Sequence, residues 1–153
     1  MQWWLILDAS VLLMCTSMYF GTGWSLVLFS FPGRSKLTVD NYYDQFVPQV
    51  TRATRFFTWM TTLMIAAAIV LVVEERDSAY VIAPAIVLAG VLAATGLTIK
   101  FILPYNKQMA AGIHDNAELQ RILGKWMFLN WIRVSLWTVQ WVAITTWFAL
   151  HLR

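Results

Sequence analysis

Four long runs without a charged residue divide the chain. They cover residues 9–31, 56–73, 78–99 and 134–150, which are 23, 18, 22 and 17 residues long. A helix needs roughly 17–25 mostly apolar residues to cross a bilayer. The pattern therefore predicts an all-α polytopic membrane protein, an up-down-up-down bundle of four transmembrane helices at about 3–31, 51–73, 78–103 and 116–152.

Composition supports this class and argues against a soluble domain. The chain is 59% hydrophobic and 12% charged, whereas soluble domains are about 45–50% apolar and about 25% charged. Its 153 residues fit one domain, 1–153. The net charge of +3 is small for a polytopic protein and mostly reports its topology, so nucleic acid is not an expected partner.

Several local signals mark helix ends. A short interfacial helix ending near Pro48 is expected before the second transmembrane helix. The charged cluster at 74–77 predicts a tight turn, and Pro104 is expected to end the third helix. Asp115 followed by Glu118 resembles a capping box that starts the fourth helix.

The positions of lysine and arginine predict the orientation. The first and third connections with their flanks are basic, whereas the second carries one arginine among three acids. Cytoplasmic loops carry the excess of basic residues, so we expect both termini outside, in a bacterial inner (cytoplasmic) membrane. The basic residues of the long loops are Arg34, Lys36, Arg52, Arg55, Lys100, Lys107, Arg121 and Lys125.

Small residues predict close helix packing. Alanines of the second helix are expected to face an alanine ladder on the third, since small residues at four-residue spacing let backbones approach in a membrane. Two glycines of the first helix are expected to pack in the same way, or to leave space for a ligand. These residues are Ala66, Ala67 and Ala68, then Ala85, Ala89 and Ala93, and finally Gly21 and Gly23.

The fourth helix carries the main candidate site. At about 100° per residue, one face gathers aromatic and polar side chains. Either this face is an aromatic packing seam with its arginine extended to the headgroups, or it is a tryptophan-lined pocket with a polar end. The residues of this face are Trp126, Asn130, Arg133, Trp137, Gln140 and Trp141.

Further polar groups lie at the predicted cytoplasmic membrane edge. Arg55, Lys100, Asn106 and Lys107 either form a basic mouth for an anion, a phenolate or a lipid head group, or belong to the ordinary positive-inside belt. Asp8 is the only acid within an apolar run; it either meets water at the interface, accepts from a donor of a partner, or belongs to a proton path. No metal or cofactor motif is present in the sequence, so none is expected.

Short motifs resemble a known family. They are the segments 31–34, 52–55 and 103–107, and Trp126 after Lys125, followed by Asn130 and Arg133. Together they resemble the anthrone-oxygenase-like family of small four-helix membrane proteins, largely a domain of unknown function. Some members are implicated in oxygenating polycyclic phenols without an evident metal or flavin. The resemblance implies functional positions at Pro104, Asn106, Trp126 and Arg133.

Two departures weaken the oxygenase interpretation. Many members of that family carry histidine where this chain has Phe31 and Asn130. Neither residue acts as a general base near neutral pH.

Three functions follow from these observations. The first is a membrane subunit or binding module whose Trp-rich face binds a partner protein, a second copy, a lipid or an apolar cofactor. The second is an oxygenase-like enzyme on a hydrophobic aromatic substrate, with Arg133, Asn106 and Asn130 as catalytic candidates. The third is a small proton-coupled transporter that uses Asp8 and Arg133.

Overall fold

All helices and no strands are found in the part of the chain that its computed structural model describes, residues 3–151. The all-α prediction is confirmed. The predicted end of the last helix near Leu152 lies outside the described residues. The elements are α1 (Trp3–Ser25), a π-helical turn (Leu26–Ser30), a 3-10 turn (Phe31–Lys36), α2 (Tyr42–Glu74), a 3-10 turn (Ala79–Val81), α3 (Ile82–Leu97), a π-helical turn (Thr98–Ile102), α4 (Leu103–Ala111) and α5 (Asn116–His151).

Within residues 3–151, three helices are long and apolar enough to cross a membrane. They are Trp3–Lys36, Tyr42–Glu74 and Ala79–Ala111, each continuous through the turns named above. The chain thus has the composition and helix lengths of an integral membrane protein. The helix α5 is 36 residues long and does not belong to this set.

The prediction that Pro104 ends the third helix is wrong. The π-helical turn Thr98–Ile102 precedes it, and Pro104 lies in the first turn of α4. The segment is continuous through this turn, so the proline lacks one helical hydrogen bond, and the wider π-helical turn directly before it accommodates the ring. The helical segment ends instead at Gly112, whose φ of 97° favours glycine.

The expected interfacial helix before the second span is not separate. Helix α2 begins at Tyr42 and runs through Pro48, whose side chain is exposed. Tyr42 fixes this start: its hydroxyl donates to the Met109 carbonyl at 3.1 Å and accepts from the Ile113 N–H at 2.6 Å. The predicted cap at Asp115 is confirmed, since its carboxylate accepts from the Glu118 N–H at 3.2 Å.

The predicted alanine ladder does not face the second helix. Ala85, Ala89 and Ala93 are exposed, whereas Val87 and Val91 are buried. The face that α3 buries is thus rotated away from the ladder, and Gly90 lies directly against the Gln140 side chain of α5. A small residue does allow two helices to approach closely, but these helices are α3 and α5.

Helix α5 lies against both α1 and α3, and α2 also packs against both. The largest fully buried side chains come from all of these helices, including Leu12, Met64, Val87 and Trp147. All of the long helices therefore contribute to one core, and α5 supplies much of its aromatic content.

Candidate functional site

The polar, aromatic face predicted on α5 is turned into the protein. Trp126, Asn130, Trp137 and Gln140 are all buried, with at most 6% of each residue exposed. Trp141 is only partly buried and packs against α1. Its ring stacks on Phe20 of α1 at 4.6 Å, and its indole N–H donates to the exposed Ser17 hydroxyl at 3.1 Å.

A chain of hydrogen bonds connects α4 to the middle of α5. The Trp126 indole N–H donates to Asn106 Oδ1 at 2.8 Å. One turn further along, Asn130 Nδ2 donates to the Trp126 carbonyl at 2.8 Å, and Asn130 Oδ1 accepts from Arg133 Nη2. All three catalytic candidates, Arg133, Asn106 and Asn130, therefore belong to one connected network.

Arg133 is held by neutral groups. Its Nη1 lies 3.4 Å from the Thr98 hydroxyl, and its Cζ lies 4.6 Å from the centre of the Trp137 ring. Within residues 3–151 no carboxylate pairs with this arginine, and its buried Nε has no hydrogen-bond partner. A guanidinium so placed retains an unused donor and an uncompensated positive charge.

A tyrosine that the sequence pattern did not single out adjoins this network. The Tyr19 ring lies 4.6 Å from Trp137, and its hydroxyl contacts the Phe57 carbonyl at 3.1 Å and the Thr61 hydroxyl. Trp137 thus contacts both Tyr19 and Arg133. A lone tyrosine in an uncharged run gives no periodic signal, because its partners belong to another helix.

An open cleft of about 280 Å³ lies between α2 and α4. Three of the four residues predicted to form a basic mouth line it, namely Arg55, Asn106 and Lys107. Lys100 does not; its side chain is exposed and its Nζ lies 5.4 Å from the neighbouring Phe101 ring. The complete lining is Phe46, Val47, Val50, Thr51, Thr54, Arg55, Leu103, Asn106, Lys107, Met109 and Ala110.

Asn106 joins the cleft to the interior network. Its Oδ1 accepts from Trp126, whereas its Nδ2 makes no hydrogen bond within the described part of the chain. The amide N–H groups are therefore available to a ligand beside two cations, and no acidic residue belongs to the lining. Such a surface is complementary to an anion attached to an apolar body.

Asp8 takes no part in this arrangement. In the described chain its carboxylate forms no ion pair, and its buried Oδ2 has no hydrogen-bond partner. Residues 3–151 also contain no group of three His, Cys, Asp or Glu side chains arranged to hold a metal ion. The expectation of no cofactor stays a prediction.

No family model, curated protein or solved structure matches this chain. The family resemblance and the oxygenase activity that it implies therefore stay predictions. Four of the positions named in the resemblance lie close together in the structure. The ring centre of Phe31 lies 6.0 Å from that of Trp126, and Trp126 is hydrogen-bonded to Asn106 and Asn130.

Proposed function

We propose that the protein is an integral membrane binding module that holds an anionic membrane lipid in the cleft between α2 and α4. The observation that carries this proposal is the placement of Arg55, Asn106 and Lys107 around one apolar cleft without an acid. Basic pockets between transmembrane helices on the cytoplasmic side are a recurrent site for anionic lipid head groups.

The cleft is lined by apolar and by polar side chains, and each kind suits one part of such a lipid. Phe46, Val50 and Leu103 offer apolar contact to an acyl chain. The guanidinium of Arg55, the ammonium of Lys107 and the free N–H groups of Asn106 suit the oxygens of a phosphodiester. Because the indole of Trp126 fixes the Asn106 amide, its donors are oriented before the lipid arrives.

Lipid retention in nanodiscs tests this site. Arg55→Gln and Lys107→Gln should each weaken retention of phosphatidylglycerol about 5-fold, because a basic residue near an anionic surface contributes about 1 kcal/mol. Retention of phosphatidylcholine, which has no net charge, should change little. Native mass spectrometry of protein released from mixed nanodiscs measures both.

The matched control is Lys100→Gln. Lys100 is an exposed cation that does not line the cleft. A general surface attraction would make all three variants equivalent, and that outcome would exclude the cleft as the binding site. If Arg55→Gln and Lys107→Gln lose phosphatidylglycerol and Lys100→Gln does not, the result supports the cleft as the binding site.

We further propose that α5 is a fourth transmembrane helix and that the four long helices alternate in direction. The order of contacts supports this topology. Along α1 and α5 the pairs Ser17–Trp141 and Trp24–Thr138 run in opposite sense. Along the third helix and α5, Tyr80 contacts His151 whereas Asn106 contacts Trp126. At about 1.5 Å per residue, α5 is long enough to cross a bilayer.

The proposed orientation places the basic connections in the cytoplasm of a bacterial cell and both termini outside. In a Cys15→Ala background, Asp77→Cys should react with a membrane-impermeant maleimide in spheroplasts, because the second connection lies outside. His114→Cys should react only after permeabilisation. Labelling of His114→Cys in intact spheroplasts, with Asp77→Cys protected, would reverse the orientation and move the cleft to the outer leaflet.

A further inference from the structure

Two threonines of the cleft between α2 and α4 present hydrogen-bond acceptors beside its cations. Thr51 and Thr54 both line the cleft, and both hydroxyls are half-buried. The Thr51 hydroxyl donates its hydrogen to the Val47 carbonyl of the same helix at 2.9 Å. The Thr54 hydroxyl donates to the Val50 carbonyl at 2.8 Å. Because a hydroxyl has only one hydrogen, both oxygens keep lone pairs that accept from a ligand.

The other polar side chains of the cleft present donors. Arg55 and Lys107 carry N–H groups and positive charge, and neither has an acceptor atom. Asn106 Oδ1 accepts from the Trp126 indole N–H at 2.8 Å, so this amide offers its Nδ2 group to the cleft. The cleft therefore holds two kinds of polar group in fixed roles. The donors suit the oxygens of an anion, and the threonine oxygens suit groups that carry a hydrogen.

The order of these groups along α2 matches the order of groups in a phospholipid head. Thr51 precedes Arg55 by four residues, so the two side chains lie on one face of the helix, about 6 Å apart along its axis. The proposed orientation places the start of α2, at Tyr42, in the cytoplasm. Thr51 then lies nearer to water than Arg55. A phosphate beside Arg55 therefore directs the hydroxyl groups on its aqueous side toward Thr51.

We propose that the lipid held in the cleft carries free hydroxyl groups on its phosphate, as the glycerol head of phosphatidylglycerol does. This assignment rests on the proposed function and names the head-group class of the lipid. The phosphodiester oxygens accept from Arg55, Asn106 and Lys107, and the head-group hydroxyls donate to the Thr51 and Thr54 oxygens. An ammonium head group also donates, but it would lie beside two cations, so the cleft selects a polyol and not an amine.

Two lipids with the same acyl chains and the same charge test the proposal. Phosphatidylglycerol and phosphatidylmethanol are both phosphodiesters, but only the first has free hydroxyl groups. The wild-type protein should retain phosphatidylglycerol about 5-fold more strongly, the effect of about one net hydrogen bond. Native mass spectrometry of protein released from nanodiscs with equal amounts of both lipids measures the ratio, because their masses differ. Equal retention of the two lipids would overturn the proposal.

Valine substitutions on α2 locate the preference. Thr51→Val and Thr54→Val should each lower it, and the double variant should retain both lipids equally. Thr58→Val and Thr62→Val are matched controls, because these exposed hydroxyls make the same bond to their own helix at 2.8 and 3.1 Å but do not line the cleft. A preference that persists in the double variant would exclude the two threonines as the acceptors.

The charge variant separates this inference from the proposed function. Arg55→Gln should weaken retention of both lipids by the same factor, because both carry the phosphodiester, and should leave their ratio unchanged. If Arg55→Gln weakens both lipids but the wild type does not distinguish them, the head-group assignment is wrong and the anionic lipid site stands. If Arg55→Gln weakens neither lipid, the proposed function itself is wrong.

A soluble compound with the same head chemistry tests whether the ligand is a lipid. Glycerol 3-phosphate carries a phosphate and two hydroxyl groups but no acyl chains. Added in excess, it should not release phosphatidylglycerol, because it makes no apolar contact with Phe46, Val50 or Leu103. Release of the lipid would assign the cleft to a soluble polyol phosphate and overturn the assignment to a lipid.

Discussion

Replacing Asn130 by leucine is expected to destabilise the fold by about 2–3 kcal/mol, because it removes the main acceptor of a charged guanidinium. Asn130 is completely buried, and its Oδ1 accepts from Arg133 Nη2. The remaining polar partner of Arg133 is the Thr98 hydroxyl at 3.4 Å, a long contact. Leucine has the same number and branching of side-chain heavy atoms as asparagine, so the substitution leaves no cavity, and the expected cost comes from the unsatisfied charge.

The matched comparison is Arg133→Met, which removes the charge instead of its acceptor. This variant should be less destabilised than Asn130→Leu, because only a neutral carbonyl oxygen loses its donor. The double variant Asn130→Leu/Arg133→Met should regain part of the stability lost in Asn130→Leu alone. Denaturation in mixed micelles, followed by helical circular dichroism, measures all three. If Arg133→Met is the most destabilised, Arg133 itself stabilises the fold and our account of its charge is wrong.

The helices could be predicted from the sequence because the evidence for them is local. Charge-free runs mark the apolar segments, and Asp115 caps α5 where expected. The errors have physical causes that involve contacts between distant residues. Tyr42 fixes the early start of α2 through Met109 and Ile113 on the other side of the cleft. The π-helical turn before Pro104 accommodates the proline ring, so the helix continues past a residue that would otherwise end it.

The candidate site was predictable along one helix but not between helices. Helical periodicity placed Trp126, Asn130 and Trp137 on one face, and all three are buried. Periodicity says nothing about which groups the neighbouring helices supply. The sequence pattern therefore places Lys100 with Arg55 and Lys107 although it does not line the cleft, and it gives no signal for Tyr19. For the same reason the sequence pattern does not predict the contact between His151 and Glu75, 76 positions apart, whose Nε2 and Oε1 atoms lie 3.0 Å from each other.

Gly23→Ala is expected to destabilise the packing of α1 on α5 by about 1–3 kcal/mol. A Cβ at Gly23 would lie 2.8 Å from Trp137 Cε3 and 2.9 Å from Val134 Cγ2. Carbon atoms in contact normally lie about 3.5–4.0 Å apart, so one helix has to move. Trp137 has little freedom to yield, because its ring is also packed against Tyr19 and the Arg133 guanidinium.

The control lies two residues away on the same helix. A Cβ at Gly21 meets no atom within 4 Å, so Gly21→Ala should leave stability unchanged or raise it by up to about 1 kcal/mol through helix propensity. The two alanine variants have the same composition, so a difference of opposite sign isolates the contact with Trp137. Trp137→Phe should reduce the cost of Gly23→Ala, because it removes the ring atoms that the new methyl group meets. Equal stability of the two alanine variants would mean that α1 and α5 are not packed as closely as described.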